Sequence, residues 1–339
     1  MSSSPAQQPS PQLFFQTINA YQRTEALKAA IELEVFAAMG EGKATAPEIA
    51  KRCETSERGT RILCDFLCIM GFLNKDGNRY SLTADSAMFL DKRSPAYLGG
   101  AIEFLSSPML TDGFKNFADA VRKGGTTMSD GGTVAPDNPI WVKFARAMAP
   151  MMALTAQLTA ALVDPTADGK LKILDIAAGH GLYGLAFAKH NPQASIVALD
   201  WPNVLEVAKE NAQKAGVIER YSTIEGSAFD VDYGTGYDLV LLTNFLHHFD
   251  PPTNEALLRK VHAALAEGGR AITVEFVPNE DRISPPEAAA FSVVMLGSTP
   301  NGDAYTFSEF ERMFVSAGFS SSEIHALPPS MQQVVISAK

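Results

Sequence analysis

An α/β architecture is predicted for this 339-residue chain: a mostly helical first half, then a doubly wound parallel sheet that closes with an antiparallel strand pair. Three observations carry that expectation. Beyond Asp164-Pro165, short apolar strands alternate with helices, the pattern of a parallel sheet that holds its ligand at the C-terminal strand ends. Within it, Leu171-Lys-Ile-Leu-Asp-Ile-Ala-Ala-Gly-His-Gly-Leu-Tyr-Gly184 is a buried strand, a glycine turn and a helix start. Finally, the apolar stretches 323–327 and 333–338 have no helix between them, a terminal hairpin foreign to a dinucleotide fold.

An apolar content of 46% suffices for a sizeable core, and the length suggests two domains. Lys and Arg total 28 against 38 Asp and Glu, a formal charge of -10. That balance argues against nucleic acid or an anionic membrane as the main partner, since both demand clustered cations. Cys53, Cys64 and Cys68 show no paired zinc spacing, and buried free thiols are the expected state. With no signal-peptide pattern and no apolar run of bilayer length, the cytoplasm is the expected compartment.

Taken in order, residues 1–12 are rich in Ser, Pro and Gln and are expected to be a disordered lead. Residues 13–39 are predicted helical, with Phe14, Ile18 and Tyr21 on one face and Leu27, Ala30 and Ile31 extending the stripe until Gly40 and Gly42. An apolar helix here needs cover from its own domain or from a second subunit. Residues 45–52 and 56–70 form two more helices, the second with Ile62, Leu63, Phe66, Leu67 and Met70 at helical spacing. Residues 72–82 then form a hairpin turning at Asp76-Gly77. Helices followed by a hairpin make residues 13–98 a winged-helix unit. DNA binding is disfavoured, because residues 56–61 offer only Arg58 and Arg61 beside Glu54 and Glu57.

Residues 99–165 are predicted to be a helical linker that contributes to a substrate cleft, interrupted by the turn-rich loop 123–137. Trp141, Phe144, Met148, Met151 and Met152 follow, suited either to core packing or to an adaptable apolar pocket. The domain 166–339 carries predicted strands at 172–178, 195–200, 221–225, 238–242 and 271–276. Its predicted helices are 182–190, 203–215, 254–266 and 308–317.

Gly179-His-Gly181-Leu-Tyr-Gly184 satisfies G-x-G-x-x-G, and Asp200 ends the following strand where a ribose-binding acid belongs. Backbone N–H groups at such a helix start face a polar ligand, and the glycines admit close approach. A nicotinamide dinucleotide and S-adenosylmethionine both fit this pattern. Asp175 favours the second, because a carboxylate just before the turn sits badly beside a pyrophosphate but suits an ammonium, directly or through water. S-adenosylmethionine carries that ammonium, a ribose for Asp200 and a reactive sulfonium.

With these residues in place, the chain resembles the S-adenosylmethionine-dependent methyltransferases with the Rossmann-like class I fold. More narrowly, it is similar to the dimeric winged-helix O-methyltransferases of plant phenolics, hydroxyindoles and bacterial polyketides. The shared segments after residue 12 are the N-terminal helix and winged helix, Phe144-Ala-Arg-Ala-Met148, Leu174-Asp-Ile-Ala-Ala-Gly-His-Gly181, Leu199-Asp-Trp-Pro202, Gly226-Ser-Ala-Phe229 and Leu246-His-His-Phe-Asp250. The resemblance implies that Asp175, Ala177, Gly179 and Gly181 cradle the methionine part, Asp200 takes the ribose and Trp201 packs on the adenosine. It implies an adenine-binding turn at Ser227, Ala228 and Phe229, and a further cofactor position at Thr243. It also implies a general base at His247 oriented by Glu275, an aromatic acceptor among Phe144, Met148, His248, Phe291 and Met295, and a homodimer formed through the N-terminal helices.

Four positions depart from the family pattern. Ser227 stands where an acid is usual, Thr243 where a basic residue is frequent, His248 where Asp often follows the base, and Ala304, beside Asp303, where a second Glu is common. Adjacent histidines on an extended segment would point to opposite faces, so no metal is expected at His247 and His248. Methyl transfer to a hydroxyl of a small, aromatic metabolite is the expected activity. The alternatives are transfer to carbon or nitrogen, a catalytically silent cofactor-binding regulator, and a nicotinamide dehydrogenase, which Asp175 and the terminal strand pair disfavour.

Overall fold

A computed structural model describes residues 8–40, 42–135, 139–164 and 168–339, and the chain divides into two compact units, Met1–Ile102 and Glu103–Lys339. Of the predicted disordered lead, residues 1–7 lie outside the described residues. In the first unit the single helix expected over 13–39 is instead three, Gln12–Ile18, Ala20–Glu32 and Val35–Met39. The second break falls at Glu34, whose φ of 58° is left-handed and incompatible with a continuing helix. Apolar periodicity does not register such a break, because the stripe continues on both sides of it.

Helices Ala46–Arg52 and Glu57–Met70 follow. Ser56 caps the second by accepting from the Gly59 N–H at 3.1 Å, and Gly71 ends it at φ 86°. Strands β1 (Ala44–Thr45), β2 (Leu73–Asp76) and β3 (Arg79–Leu82) form an antiparallel sheet in the order β1-β3-β2. Phe36, Met39, Ile49, Cys64, Leu67 and Tyr80 fill the core between helices and hairpin. Cys53, Cys64 and Cys68 are free thiols, and burial pushes the Cys64 thiol up to about 12. The cations around the hairpin are committed to acids: Lys43 to Asp76, Arg61 and Lys75 to Asp65, and Arg79 to Glu48. The Gln12–Ile18 helix buries none of its residues, and Leu13, Phe14, Phe15 and Ile18 are each more than half exposed.

The second unit is built on β4 (Lys172–Ile176), β5 (Ser195–Asp200), β6 (Tyr221–Glu225), β7 (Tyr237–Thr243), β8 (Leu265–Glu275), β9 (Ser321–Ala326) and β10 (Gln333–Ala338). Their order is β6-β5-β4-β7-β8-β10-β9. Strands β4 to β8 are parallel, whereas β10 runs antiparallel to both β8 and β9. The strand β8 begins earlier than predicted, and its pairing with β7 shifts register between Tyr237 and Leu239. Helices Leu182–His190, Pro202–Ala215, Pro251–Ala264 and Phe307–Ser316 cover the sheet.

Two cores flank the sheet because successive strand residues face opposite sides. Ile173, Phe187, Ile196, Leu241 and Val334 belong to one, and Leu174, Ile176, Leu242, Leu258 and Phe310 to the other. Asp175 therefore shares a face with Ile173, inside the first core. The long helix Ile140–Val163 adds Ala156, Ala160 and Val163 to that core.

The Pro286–Ser298 helix carries no amphipathic signal, since Ala288, Phe291, Val293, Val294, Met295 and Leu296 surround its axis. The turn-rich loop, described from 123 to 135, is not a plain spacer but clasps the end of this helix. Thr126 Oγ1 donates to the Gly297 carbonyl at 2.7 Å and Thr133 Oγ1 to that of Ser298 at 3.1 Å. Gly132, at φ 67°, approaches so closely that a Cβ there would lie 2.3 Å from the Ser298 oxygen. Among the described residues no helix is long and apolar enough to cross a membrane.

Candidate active site

The chain leaves β4 through Ala177, Ala178, Gly179, His180 and Gly181 and enters the helix at Leu182. Ala177, Gly179 and Gly181 are left-handed at φ 53°, 58° and 74°. Gly181 is required by space as well as by dihedral, because a Cβ would meet Tyr221 Oη at 2.7 Å and Ala208 Cβ at 3.1 Å. This turn lies at the C-terminal ends of β4 and β5, beside the point where strand order reverses towards β7.

Two buried carboxyls face the turn's backbone. Asp175 Oδ2 accepts from the Gly184 N–H at 3.0 Å, while Oδ1 is buried without a partner among the described residues. Burial pushes the Asp175 carboxyl up to about 7, against the pull of the Gly184 N–H and with a small further push from Asp200. Asp200 accepts from the Gly179 N–H at 2.8 Å and the Trp201 N–H at 2.7 Å, yet burial still raises it to about 6. A buried carboxylate with an orphaned oxygen fits the ammonium of S-adenosylmethionine, whose charge would offset the desolvation.

The remaining predicted cofactor residues lie around this centre. Ser227 Oγ accepts from the Phe229 N–H at 3.2 Å, so the hydroxyl shapes the Gly226–Phe229 turn itself. Lys260 locks that turn from below by donating to the carbonyls of Ala228, Phe229 and Val231 at 3.0, 2.7 and 3.1 Å. Sequence reasoning missed Lys260, which follows Arg259 in the Pro251–Ala264 helix. Trp201 is partly buried against Ala145, Val204 and Val207, and Thr243 ends β7 buried beside Val274.

The segment after β7 is not extended, contrary to the reading that sets His247 and His248 on opposite faces. Leu246–His248 is a 3-10 turn, in which successive side chains are separated by roughly 120°. The two imidazoles consequently lie against each other, with centroids 4.2 Å apart and planes at 34°. No group of three or more His, Cys, Asp or Glu side chains is gathered for a metal among the described residues.

Glu275, the last residue of β8, is fully buried and holds this turn. Its Oε2 lies 2.5 Å from His247 Nδ1, and its Oε1 accepts from the N–H groups of Phe245 and Leu246 at 3.0 Å each and of His247 at 3.4 Å. A carboxylate only accepts, so Nδ1 is the donor of this pair and Nε2 is the nitrogen left for another partner. Asn254 Nδ2 donates to the carbonyls of Leu246 and Phe249 at 2.9 and 3.1 Å, and Tyr305 Oη to that of Phe249 at 2.5 Å. Neither residue was foreseen. Asn254 did leave a signal, being a polar residue on the stripe of Leu257, Leu258 and Val261. Asp303 does not replace the family's second Glu: its carboxylate faces Arg282 at 3.4 Å, and Ala304 is fully buried.

Beside the histidines runs an unbroken arc of rings. Phe104, Phe144, Trp141, His248, His247, Phe291 and Phe276 touch in that order, with centroid separations of 5.1, 5.6, 5.3, 4.2, 4.8 and 4.4 Å. His180 stacks on Phe144 at 6.4 Å and on Tyr183 at 6.3 Å, and burial lowers its imidazole to about 4, so it is neutral. Met148 and Met295 are buried one helical turn beyond Phe144 and Phe291. The structure thus brings Phe144, His248 and Phe291 into one wall.

A glycine turn with an orphaned acid after β4 and a buried Glu-His pair within an aromatic arc after β7 and β8, all at the C-terminal ends of the parallel strands, define a transferase of the class I methyltransferase type. An O-methyltransferase domain matches residues 114–320 and an O-methyltransferase dimerisation domain residues 15–92, so the chain belongs to the S-adenosylmethionine-dependent O-methyltransferase family. It is 30% identical over 304 residues to 3-hydroxy-5-methyl-1-naphthoate 3-O-methyltransferase of Streptomyces sahachiroi, covering 88% of this chain and 86% of that protein. A solved candidate O-methyltransferase from Nostoc punctiforme superposes with a TM-score of 0.96 at 59% identity, covering 98% of this chain and all of that one. The structure of PigF with S-adenosylhomocysteine superposes at 0.85 with 26% identity, covering 98% and 100%.

The buried carboxyl of Asp175 gives the cofactor-free protein a defined pH response. Its folded value near 7 exceeds the ordinary 3.8, so the native state holds a proton that the unfolded chain releases, and stability falls as pH rises between those values. Asp175→Asn is expected to gain stability relative to the parent at pH 8 compared with pH 4, measured as urea midpoints without cofactor. A difference between the two proteins that is the same at both pH values would contradict this environment for Asp175.

Proposed function

We propose that this enzyme methylates a hydroxyl of a small aromatic metabolite and that His247 is the general base. The observation that carries the reading is the 2.5 Å contact of Glu275 Oε2 with His247 Nδ1, which leaves Nε2 as the nitrogen for the acceptor beside Phe291. S-adenosylmethionine, when bound, supplies an electrophilic methyl group on a sulfonium. Asp175 would hold its ammonium, the backbone of Ala177, Gly179 and Gly181 would line its methionine part, and Asp200 would accept from its ribose hydroxyls.

A phenolic hydroxyl is largely protonated at neutral pH, with an ordinary value near 10. His247 Nε2 takes that proton as the oxygen attacks, and the Glu275 carboxylate stabilises the imidazolium from the Nδ1 side. Alignment of the oxygen is the second contribution, supplied by Phe144, Phe291, Met148 and Met295 around a flat ring. The hydroxynaphthoate named in the Streptomyces sahachiroi relative supports an aromatic hydroxyl as acceptor. We also place a homodimer on the exposed face of the Gln12–Ile18 helix, which lies at the edge of the segment matched by the dimerisation domain.

His247→Ala is expected to reduce kcat by about a hundredfold or more with S-adenosylmethionine affinity nearly unaltered, as read by turnover assays and calorimetry side by side. Weakened cofactor binding with kcat preserved would remove His247 from the base role. For the assembly, Phe14→Glu with Ile18→Glu should convert dimers to folded monomers in sedimentation velocity. A dimer that persists in the double variant would place the interface elsewhere.

A further inference from the structure

We infer that the acceptor carries two hydroxyls on adjacent ring carbons and that His248 accepts the hydrogen bond of the one that is not methylated. This rests on the role proposed for His247. His248 Nδ1 lies 3.1 Å from the Phe245 carbonyl oxygen, and a carbonyl only accepts, so Nδ1 carries the proton. Its Nε2 is therefore a lone pair, with no hydrogen-bond partner among the described residues. Burial first, and His247 beside it second, hold the imidazole well below the usual histidine range.

The wall consequently sets two imidazoles side by side, each with its Nδ1 engaged and its Nε2 left to accept. The His248 ring is wedged between Trp141 at 5.3 Å and His247 at 4.2 Å, which fixes its place in the wall. The arc supplies no opposing charge, because Glu275 is consumed by His247 and the turn's N–H groups. Two adjacent lone pairs call for two adjacent donors. Hydroxyls on neighbouring ring carbons place their oxygens about one hydrogen-bond length apart, matching acceptors on touching rings. A ring with a single hydroxyl would leave one of the two nitrogens without a donor from the acceptor.

The chemistry then differs at the two oxygens. The hydroxyl at His247 gives its proton to Nε2 while its oxygen bonds the methyl carbon, and the carbon–sulfur electron pair returns to sulfur. The hydroxyl at His248 keeps its proton throughout. A monoether product that rebinds the other way round sets an ether oxygen against the His248 lone pair, so methylation stops after one round.

The test uses the full chain with S-adenosylmethionine and five acceptors: catechol, phenol, 2,3-dihydroxynaphthalene, 2-naphthol and 3-methoxy-2-naphthol. The diols should exceed the matching monohydroxy compounds in kcat/KM by at least about tenfold, and mass spectrometry should find only the monoether. His248→Phe keeps a ring against Trp141 but removes the acceptor, and should collapse the diol preference to about one, chiefly through KM. His248→Gln, whose amide oxygen accepts, should restore part of it. Equal rates on diols and monohydroxy compounds in the parent would overturn the inference while leaving His247 as base. A uniform loss in His248→Phe with the preference intact would make His248 merely structural and would also overturn it. Failure to methylate any of the five by protein that binds S-adenosylmethionine would overturn this inference and the aromatic-acceptor reading together.

Discussion

Everything on the acceptor side depends on one carboxylate. Glu275 bridges the end of β8 to the 3-10 turn after β7, satisfying backbone N–H groups with one oxygen and His247 with the other. A carboxylate buried this deeply is costly unless every lone pair is used. Here the bonds that lower that cost are the same ones that bend the chain and select the imidazole tautomer. Asn254, in the Pro251–Ala264 helix, and Tyr305, just before the Phe307–Ser316 helix, complete the arrangement by donating to the carbonyls of Leu246 and Phe249. The turn, in bringing His248 against His247, places both imidazoles in one aromatic wall.

The cofactor side works by the opposite device. Asp175 and Asp200 are buried with fewer partners than they can use, and desolvation raises both carboxyls above their ordinary range. Their environment is unfavourable to the empty protein's ionised state and favourable to a cationic, hydroxyl-bearing ligand. The left-handed Ala177, Gly179 and Gly181 keep the backbone close enough to use those acids. Stored strain and unmet charge after β4 and β5, and full satisfaction after β7 and β8, set binding beside chemistry along the C-terminal edge of a single sheet.

Much of this was legible in the residues. Strands β5, β6 and β10 and the Leu182–His190 helix stand where alternation and glycine punctuation set them, because short parallel strands and capped helices leave strong local signals. Asp175 and Asp200 were identifiable from their places around the glycine turn, and His247 and Glu275 from the family resemblance. What local pattern did not reveal were tertiary effects. The break at Glu34 interrupts a stripe that remains apolar throughout. The Pro286–Ser298 helix is apolar on all sides and has no period to read. Opposed faces for His247 and His248 followed from assuming an extended segment, and the hydrogen bonds that its N–H groups donate to Glu275, some thirty residues onward, are what curl it. Lys260 and Asn254 act on carbonyls remote in sequence, so their roles appear only once the sheet assembles.

The tautomer of His247 is the point on which the account turns. Nitrogen-15 NMR of histidine-labelled protein at neutral pH, with His247 assigned by comparison with His247→Ala, reads it directly. The account predicts a neutral ring protonated at Nδ1 with Nε2 unprotonated, and a change in that pattern in Glu275→Gln. A His247 ring protonated at Nε2 in the parent would contradict it, since no lone pair would then be available to receive the acceptor's proton.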